Sequence, residues 1–286
     1  MTYTPNPSPA AQPGHPSPQP PAPGAVKRST ILWLAIGIPV GVILLLAIIA
    51  ALIFAWFSFA PAKAVDRSAT LEGAQSVSID APNATLNLLA STDGQVHVTM
   101  TGSHTGQAPT LKAEVAGTVA QIDAECPRFW FFSRCDVTVT VALPASLNVA
   151  AHGINGRITV SDLAGDIRLE TTNGSIEATG TSGSLGLITT NGSVRVQEAT
   201  SAAVHAETIN GSVELGFIAA PEDISATSTN GAITVRVPDD GTRYAVTAST
   251  VLGRVDTASV PTDPTATHTI TAETVNGAIR VAAGGR

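Results

Sequence analysis

The chain has 286 residues, enough for one large or two small domains, and carries 22 acidic against 15 basic residues for a net charge of −7. All 22 acidic residues lie beyond Ala62, together with 13 of the basic ones, so that part alone carries −9. This balance argues against nucleic acid or anionic lipid as its main partner.

Residues 1–28 hold nine of the 19 prolines and no acidic residue. Such a segment cannot bury a core and is expected to be a disordered, polyproline-like tail. Residues 29–62 hold no charge at all, and the apolar run from Ile31 to Ala60 exceeds the ~20 residues that span a bilayer. Trp33 near one end and Trp56, Phe57 and Phe59 near the other suit interfacial aromatic belts. The segment therefore reads as one transmembrane helix. Ala62-Lys63-Ala64 resembles a signal-peptide cleavage site, but the run is far longer than the ~7–15 residues of a signal core.

Basic residues flank the span evenly, Lys27 and Arg28 before it and Lys63 and Arg67 after it. Orientation therefore rests on Cys126 and Cys135, which fit a single disulfide closing a short loop and hence an oxidising compartment. Two separate buried thiols are the alternative. The expected placement is a single-pass protein of a bacterial cell membrane, N-terminus cytoplasmic and C-terminal domain extracytoplasmic.

Residues 63–144 read as a divergent β region containing the disulfide loop. Ser76–Leu89 looks like a degenerate repeat with Ala84 where Gly is expected, and Gln95–Met100 and Asp136–Leu143 alternate polar and apolar residues. Residues 145–286 form the repeat region proper. Asn-Gly occurs at Asn155-Gly156, Asn173-Gly174, Asn191-Gly192, Asn210-Gly211, Asn230-Gly231 and Asn276-Gly277, with successive spacings of 18, 18, 19, 20 and 46. Dividing the last interval exposes a seventh copy, with Leu252 at the Asn position and Gly253 after it.

Aligned on the Asn, apolar columns stand out on both sides. Two residues after the Gly come Ile158, Ile176, Val194, Val213, Ile233, Val255 and Ile279; six before the Asn come Val149, Ile167, Leu185, Val204, Ile224, Val246 and Ile270. Period-two alternation on both sides of a turn signal means strand, turn, strand, each strand with one buried face. Two all-β architectures fit: a β-solenoid whose coils turn at Asn-Gly, and a row of stacked β-hairpins with type I′ turns. The solenoid is favoured because the Asn, Thr and β-branched columns repeat as stacked ladders would. Seven coils at ~4.8 Å would make a rod of roughly 34 Å.

The run Thr-x-Asn-Gly-x-Val/Ile, preceded by Leu143-Pro144 and a single apolar span, resembles the bacterial putative-adhesin β-strand-repeat proteins. These are a domain of unknown function that includes LiaG-like envelope proteins. The resemblance covers roughly residues 75–283 and implies a β-helix-like ectodomain on an envelope protein. It carries over no catalytic set.

Asn-Gly-Ser at Asn173, Asn191 and Asn210 matches the glycosylation sequon, but turn geometry already accounts for Asn and Gly, which tolerate positive φ. Three residues after each Gly the column reads Thr159, Glu177, Arg195, Glu214, Thr234, Asp256 and Arg280, a solvent-facing ladder of alternating charge rather than a catalytic cluster. The six histidines show no metal-ligand spacing, although His97 and His104 are expected on neighbouring strands. No catalytic residue, cofactor or metal is expected.

One segment stands outside the repeats. Arg128, Phe129, Trp130, Phe131, Phe132 and Arg134 lie inside the disulfide loop and combine residue types that dominate contact hot spots. They are either a partner contact or a cap on the end of the stack. The functional expectation is a non-enzymatic surface protein acting in adhesion, envelope organisation or surface sensing, with an envelope polymer or a membrane protein as partner. The alternatives are an accessory subunit of an envelope-stress signalling system and a polysaccharide-acting β-helix enzyme. A Trp130→Ala, Phe131→Ala double variant separates the two roles of the loop: a lowered melting temperature with binding unchanged marks a cap, and the converse marks a contact.

Overall fold

The computed structural model describes residues 38–58, 61–127 and 134–284, and the chain divides into two compact units, 1–59 and 60–286. In the first unit, Ile38–Ser58 form helix α1, 21 residues without a charge. Its side chains, described as far as Phe54, are apolar and exposed all round. Among the described residues no helix is long and apolar enough to cross a membrane. The Pro-rich tail and Trp33 lie outside the described residues.

Among its described residues the second unit has 21 strands in two sheets, one of eleven strands and one of ten. Each repeat sends the strand before its Asn to the ten-stranded sheet and the strand after its Gly to the eleven-stranded sheet. In the Asn173 repeat these are Ile167–Asn173 and Ile176–Thr179. Both pair in parallel and in register with the same strand of the next repeat, as Ile167 with Leu185 and Ile176 with Val194. Strands that flank one Asn-Gly never pair with each other, so the repeats are coils of a two-sheet stack and not hairpins.

The inward columns form one core: Ile167, Leu187, Val196, Leu215 and Ile224 are buried, as are their equivalents along the stack. Each such aliphatic side chain contributes ~1.5–3 kcal/mol. Val246, Ala248, Val255 and Thr257, all from the Leu252 coil, are the column members that stay partly or fully exposed. Their exposure follows from the order of stacking. The Leu252 coil does not sit between the Asn230 and Asn276 coils. Asp223–Asn230 pairs directly with His268–Asn276, and Tyr244–Leu252 packs outside the latter.

The same inversion occurs at the other end. Ser76–Asp80 and Thr85–Ser91 make a coil that stacks on the Asn155 coil, which confirms the Ala84 repeat. Outside it lies a further coil made of Val119–Glu125 and Cys135–Pro144. Antiparallel strands finish that end: Thr110–Ala116 beside Val119–Glu125, and Val96–His104 then Lys63–Leu71 beside Cys135–Pro144. His97 and His104 thus share one strand, not two.

Three ladders hold the corners. Each Asn amide donates to the carbonyl of the Asn one coil nearer the N-terminal end, from Asn155 to Asn83 at 2.8 Å through to Asn276 to Asn230 at 2.8 Å. The intervening links, Asn173, Asn191, Asn210 and Asn230, lie between 2.8 and 3.0 Å. Two residues before the Asn, a hydroxyl donates to the carbonyl of the glycine below: Thr189 to Gly174, Thr208 to Gly192, Ser228 to Gly211, Thr274 to Gly231 and Thr250 to Gly277.

The glycines form the third ladder, and for a different reason than turn conformation. Among the corner glycines only Gly156 has a left-handed φ, 140°, and no corner Asn does. What demands glycine is the coil below. A Cβ on Gly192 would fall 2.0 Å from the Gly174 carbonyl oxygen, and one on Gly231 1.8 Å from that of Gly211.

The charged column on the eleven-stranded sheet forms ion pairs in part within itself, Arg195–Glu214 and Arg280–Asp256, and in part with Arg157 and Arg236 beside it. Arg195 and Arg236 both reach Glu214, at 3.0 and 2.6 Å, and hold its carboxyl below the usual range, the Arg236 hydrogen bond foremost. Glu177 pairs with Arg157 at 3.1 Å, and inverted stacking sets Arg280 against Asp256.

Tyr244 at the outer coil is fully buried, its hydroxyl without a partner, and burial pushes its pKa up to about 12. Two substitutions test this account by chemical denaturation. Gly192→Ala should destabilise by about 3 kcal/mol or more, since backbone stands where the methyl must go. Tyr244→Phe should stabilise by about 1 kcal/mol, because it removes an unsatisfied buried hydroxyl.

Candidate binding groove

Outward-facing residues of the ten-stranded sheet form columns at right angles to the strands. One column runs Ser78, Ala150, Arg168, Gly186, His205, Ser225, each directly beside the next. Beside it on one flank run Asp80, His152, Glu170, Ile188 and Glu207. On the other flank lie Ser76, Asn148, Asp166, Ser184, Ala203 and Asp223. Small residues in the central column leave a groove of about 670 Å³ along the stack, lined from Ser76 to Asp223. Six parallel strands at ~4.8 Å give it a length of about 24 Å.

Gly186 sits in the floor, and its role differs from that of the corner glycines. A Cβ there would meet nothing nearer than 3.9 Å, so packing does not require glycine. Glycine in a strand interior forgoes side-chain packing and loses more backbone entropy, and often marks a place where another molecule approaches the backbone. The missing side chain keeps a notch open between Arg168 and His205, which stand two strands apart, ~9.6 Å.

The polar side chains in and beside the groove are internally braced, while much of its lining is apolar, with Val77, Val149, Ile167, Leu185 and Val204. Arg168 binds Glu170 at 2.5 Å, His205 faces Glu207 at 3.7 Å, and His152 faces Asp80 at 3.3 Å. Asp166 takes the Ser184 hydroxyl at 2.6 Å and the Ser184 backbone N–H at 3.1 Å. Those two bonds, the hydroxyl foremost, hold its carboxyl below the usual range. Thr269 donates to Asp223. Such an arrangement offers fixed carboxylates, a guanidinium, imidazoles and hydroxyls along one line. That array can recognise a repeating pattern of hydroxyl and amide groups.

The residues singled out from sequence lie elsewhere. Cys126 and Cys135 form the expected disulfide, with a Cα–Cα separation of 5.9 Å, both half-cystines buried. It closes the corner of its coil at the place where the others carry Asn-Gly. Arg128, Phe129, Trp130, Phe131 and Phe132 lie outside the described residues; Arg134 is exposed, and its backbone N–H donates to the Thr105 hydroxyl at 2.9 Å. A second cavity, about 590 Å³, opens on the eleven-stranded sheet between Gln197 and Arg236. It marks a change of coil geometry, since the left-handed residues Asp162, Gly180 and Glu198 stack in three successive coils and the next coil lacks one. Among the described residues there is no group of His, Cys, Asp and Glu that could hold a metal ion.

Ser184→Ala removes the stronger of the two bonds on Asp166. Its carboxyl should then titrate at a higher pH, followed by carboxylate NMR; an unmoved titration would mean that the backbone N–H alone sets it. The depressed value also means that this contact stabilises the fold above the ordinary carboxylate range and is lost as pH falls through the folded-state pKa.

Residues 134–282 match a family profile, Toastrack DUF4097. Among solved structures, a putative cell adhesion protein from Clostridium sporogenes is 11% identical, with 78% of this chain and 100% of that chain covered at a TM-score of 0.38. A putative adhesin from Parabacteroides merdae is 10% identical, covering 77% and 96% at a TM-score of 0.42. A putative lipid binding protein from Parabacteroides distasonis is 12% identical, covering 77% and 96% at a TM-score of 0.25. At such identities and scores these likenesses carry no argument about what this chain binds. No curated protein matches the chain. The family match spans more than half of the sequence, and its boundaries fall on the coils from Cys135–Pro144 to Ile279–Ala283. The protein belongs to the Toastrack DUF4097 family.

Proposed function

We propose that this protein is a non-enzymatic, adhesin-like surface protein of the bacterial envelope, held by its apolar helix and binding an extended envelope polymer along the groove. One observation carries the reading: the groove runs across six strands of a stack whose corners are pinned by continuous ladders. Its length suits a chain of repeating units more than a compact metabolite. The groove favours neutral, hydroxyl-rich and amide-bearing polymers, because its Arg168 guanidinium is already matched by Glu170.

A hydrolytic role is the weaker reading. Glycoside cleavage needs one carboxyl held protonated opposite a second carboxylate. Asp166 is shifted the opposite way, Glu170 is paired with Arg168, and Glu207 and Asp80 each face a histidine. The anchor is supported by the uncharged helix Ile38–Ser58, apolar over its whole described surface. The disulfide supports an extracytoplasmic location for the folded unit. The aromatic disulfide loop remains a second proposed contact.

The test uses the full chain in detergent and insoluble cell-wall polysaccharide in a sedimentation assay. Gly186→Leu fills the notch without altering a charge and should cut binding about tenfold, with the melting temperature little changed. Full retention of binding by Gly186→Leu, or no sedimentation of the natural chain, would reject the groove as the site.

A further inference from the structure

The stack ends in four edge strands, and they are not protected alike. In the eleven-stranded sheet the edges are Lys63–Leu71, which carries Lys63, Asp66 and Arg67, and the two-residue Val255–Asp256. In the ten-stranded sheet one edge is Thr110–Ala116, with Lys112 and Glu114. The other is Tyr244–Leu252, nine residues reading Tyr-Ala-Val-Thr-Ala-Ser-Thr-Val-Leu, with no charge, proline or glycine. Natural edge strands are normally blunted by charge, proline, bulges or shortness. The Tyr244–Leu252 edge has none of these.

The backbone shows which groups are open. At Tyr244 the edge is already covered, its N–H donating to Pro261 and its carbonyl accepting from Asp263. Residues of the same parity, Val246, Ala248 and Thr250, therefore turn their N–H and C=O groups toward the edge, and no strand lies beyond them. Apolar surface gathers at the far end of this strand: Val251 is 74% exposed, Leu252 68%, and Val275 of the adjoining strand 43%.

From this we infer that two copies of the chain associate through this edge, Tyr244–Leu252 of one pairing antiparallel with the same strand of the other. The two-fold axis passes through Ala248, so Val246 faces Thr250 of the second copy and Leu252 reaches the Pro261–Asp263 segment that covers its Tyr244. All three open residues of each copy then exchange both backbone bonds, and no other register uses all three. Charge on the flanks agrees. Asp239 and Asp240 precede the strand and Arg254 follows it, so antiparallel pairing brings the acidic flank of one copy to the basic flank of the other. Arg243 is already beside Asp263, and Asp256 beside Arg280. The antiparallel edges at the opposite end, charged as they are, do not compete.

The test is cross-linking of the full chain in detergent, whose two native cysteines are joined to each other. Ser249→Cys, outward-facing and next to the axis, should give a covalent dimer with a short bismaleimide. Thr227→Cys, two strands inward on the same face, should not. Ala248→Pro removes the central edge N–H without touching the inner ladder, and Ser249→Lys adds a charge beside the axis in a side chain that faces solvent. Introduced in the Thr247→Cys chain, which should also cross-link, each should lower the yield about tenfold, and the melting temperature of Ser249→Lys should stay within a few degrees. Sedimentation of the natural chain as a monomer at the highest soluble concentration would overturn the inference. So would equal cross-linking at Ser249→Cys and Thr227→Cys.

Discussion

Everything in the folded unit hangs on one close approach, that of each corner glycine to the carbonyl of the glycine one coil below. The space left for a Cβ is less than that of any real contact, so the corner closes down to backbone on backbone. Only at that spacing can the Asn amides reach one another and the Thr hydroxyls reach the glycine carbonyls. The paired strands and the apolar columns would assemble without these contacts. It is the corner that sets coil upon coil in a single register. A slip of one residue would turn every buried side chain outward.

Much of this was legible in the sequence, down to the columns of Ile, Val and Leu that became the core. The role of the Asn-Gly pair was not. Read locally, the pair signals a tight turn with positive φ, and local reading has no access to the coil below. The stacking order was hidden for the same reason, because parallel coils of similar length pair in any order. Leu252 held the clue. Leucine between Asn230 and Asn276 would break the amide ladder, whereas leucine on the outermost coil, beside Asn276, only ends it.

The groove was missed through a different gap. Its central column lies five residues before the Asn and reads Ala150, Arg168, Gly186, His205 and Ser225. These residues share no chemical type and form no motif along the chain. They become a floor with two walls only when the coils bring them within one strand spacing of each other. The buried columns announce themselves by sameness, while a binding surface on a repeat is made of the positions that differ. The aromatic loop drew attention because its residues are neighbours in sequence.

The inverted coils at the two ends change how this stack can come apart. Arrays of repeats generally fray, since the last unit in the chain is also the last in the pile and has one neighbour. Here the coils nearest the termini, Ser76–Ser91 and His268–Ala283, are each clamped between two others. Peeling from the C-terminal side must first part both sheets in their interior, whereas on the N-terminal side only the edge strand Lys63–Leu71 comes away freely. During synthesis the reverse holds: the final coil enters a position that the preceding one has to leave vacant, so closure waits for the complete chain. The result is a stack whose C-terminal coil is latched beneath its predecessor.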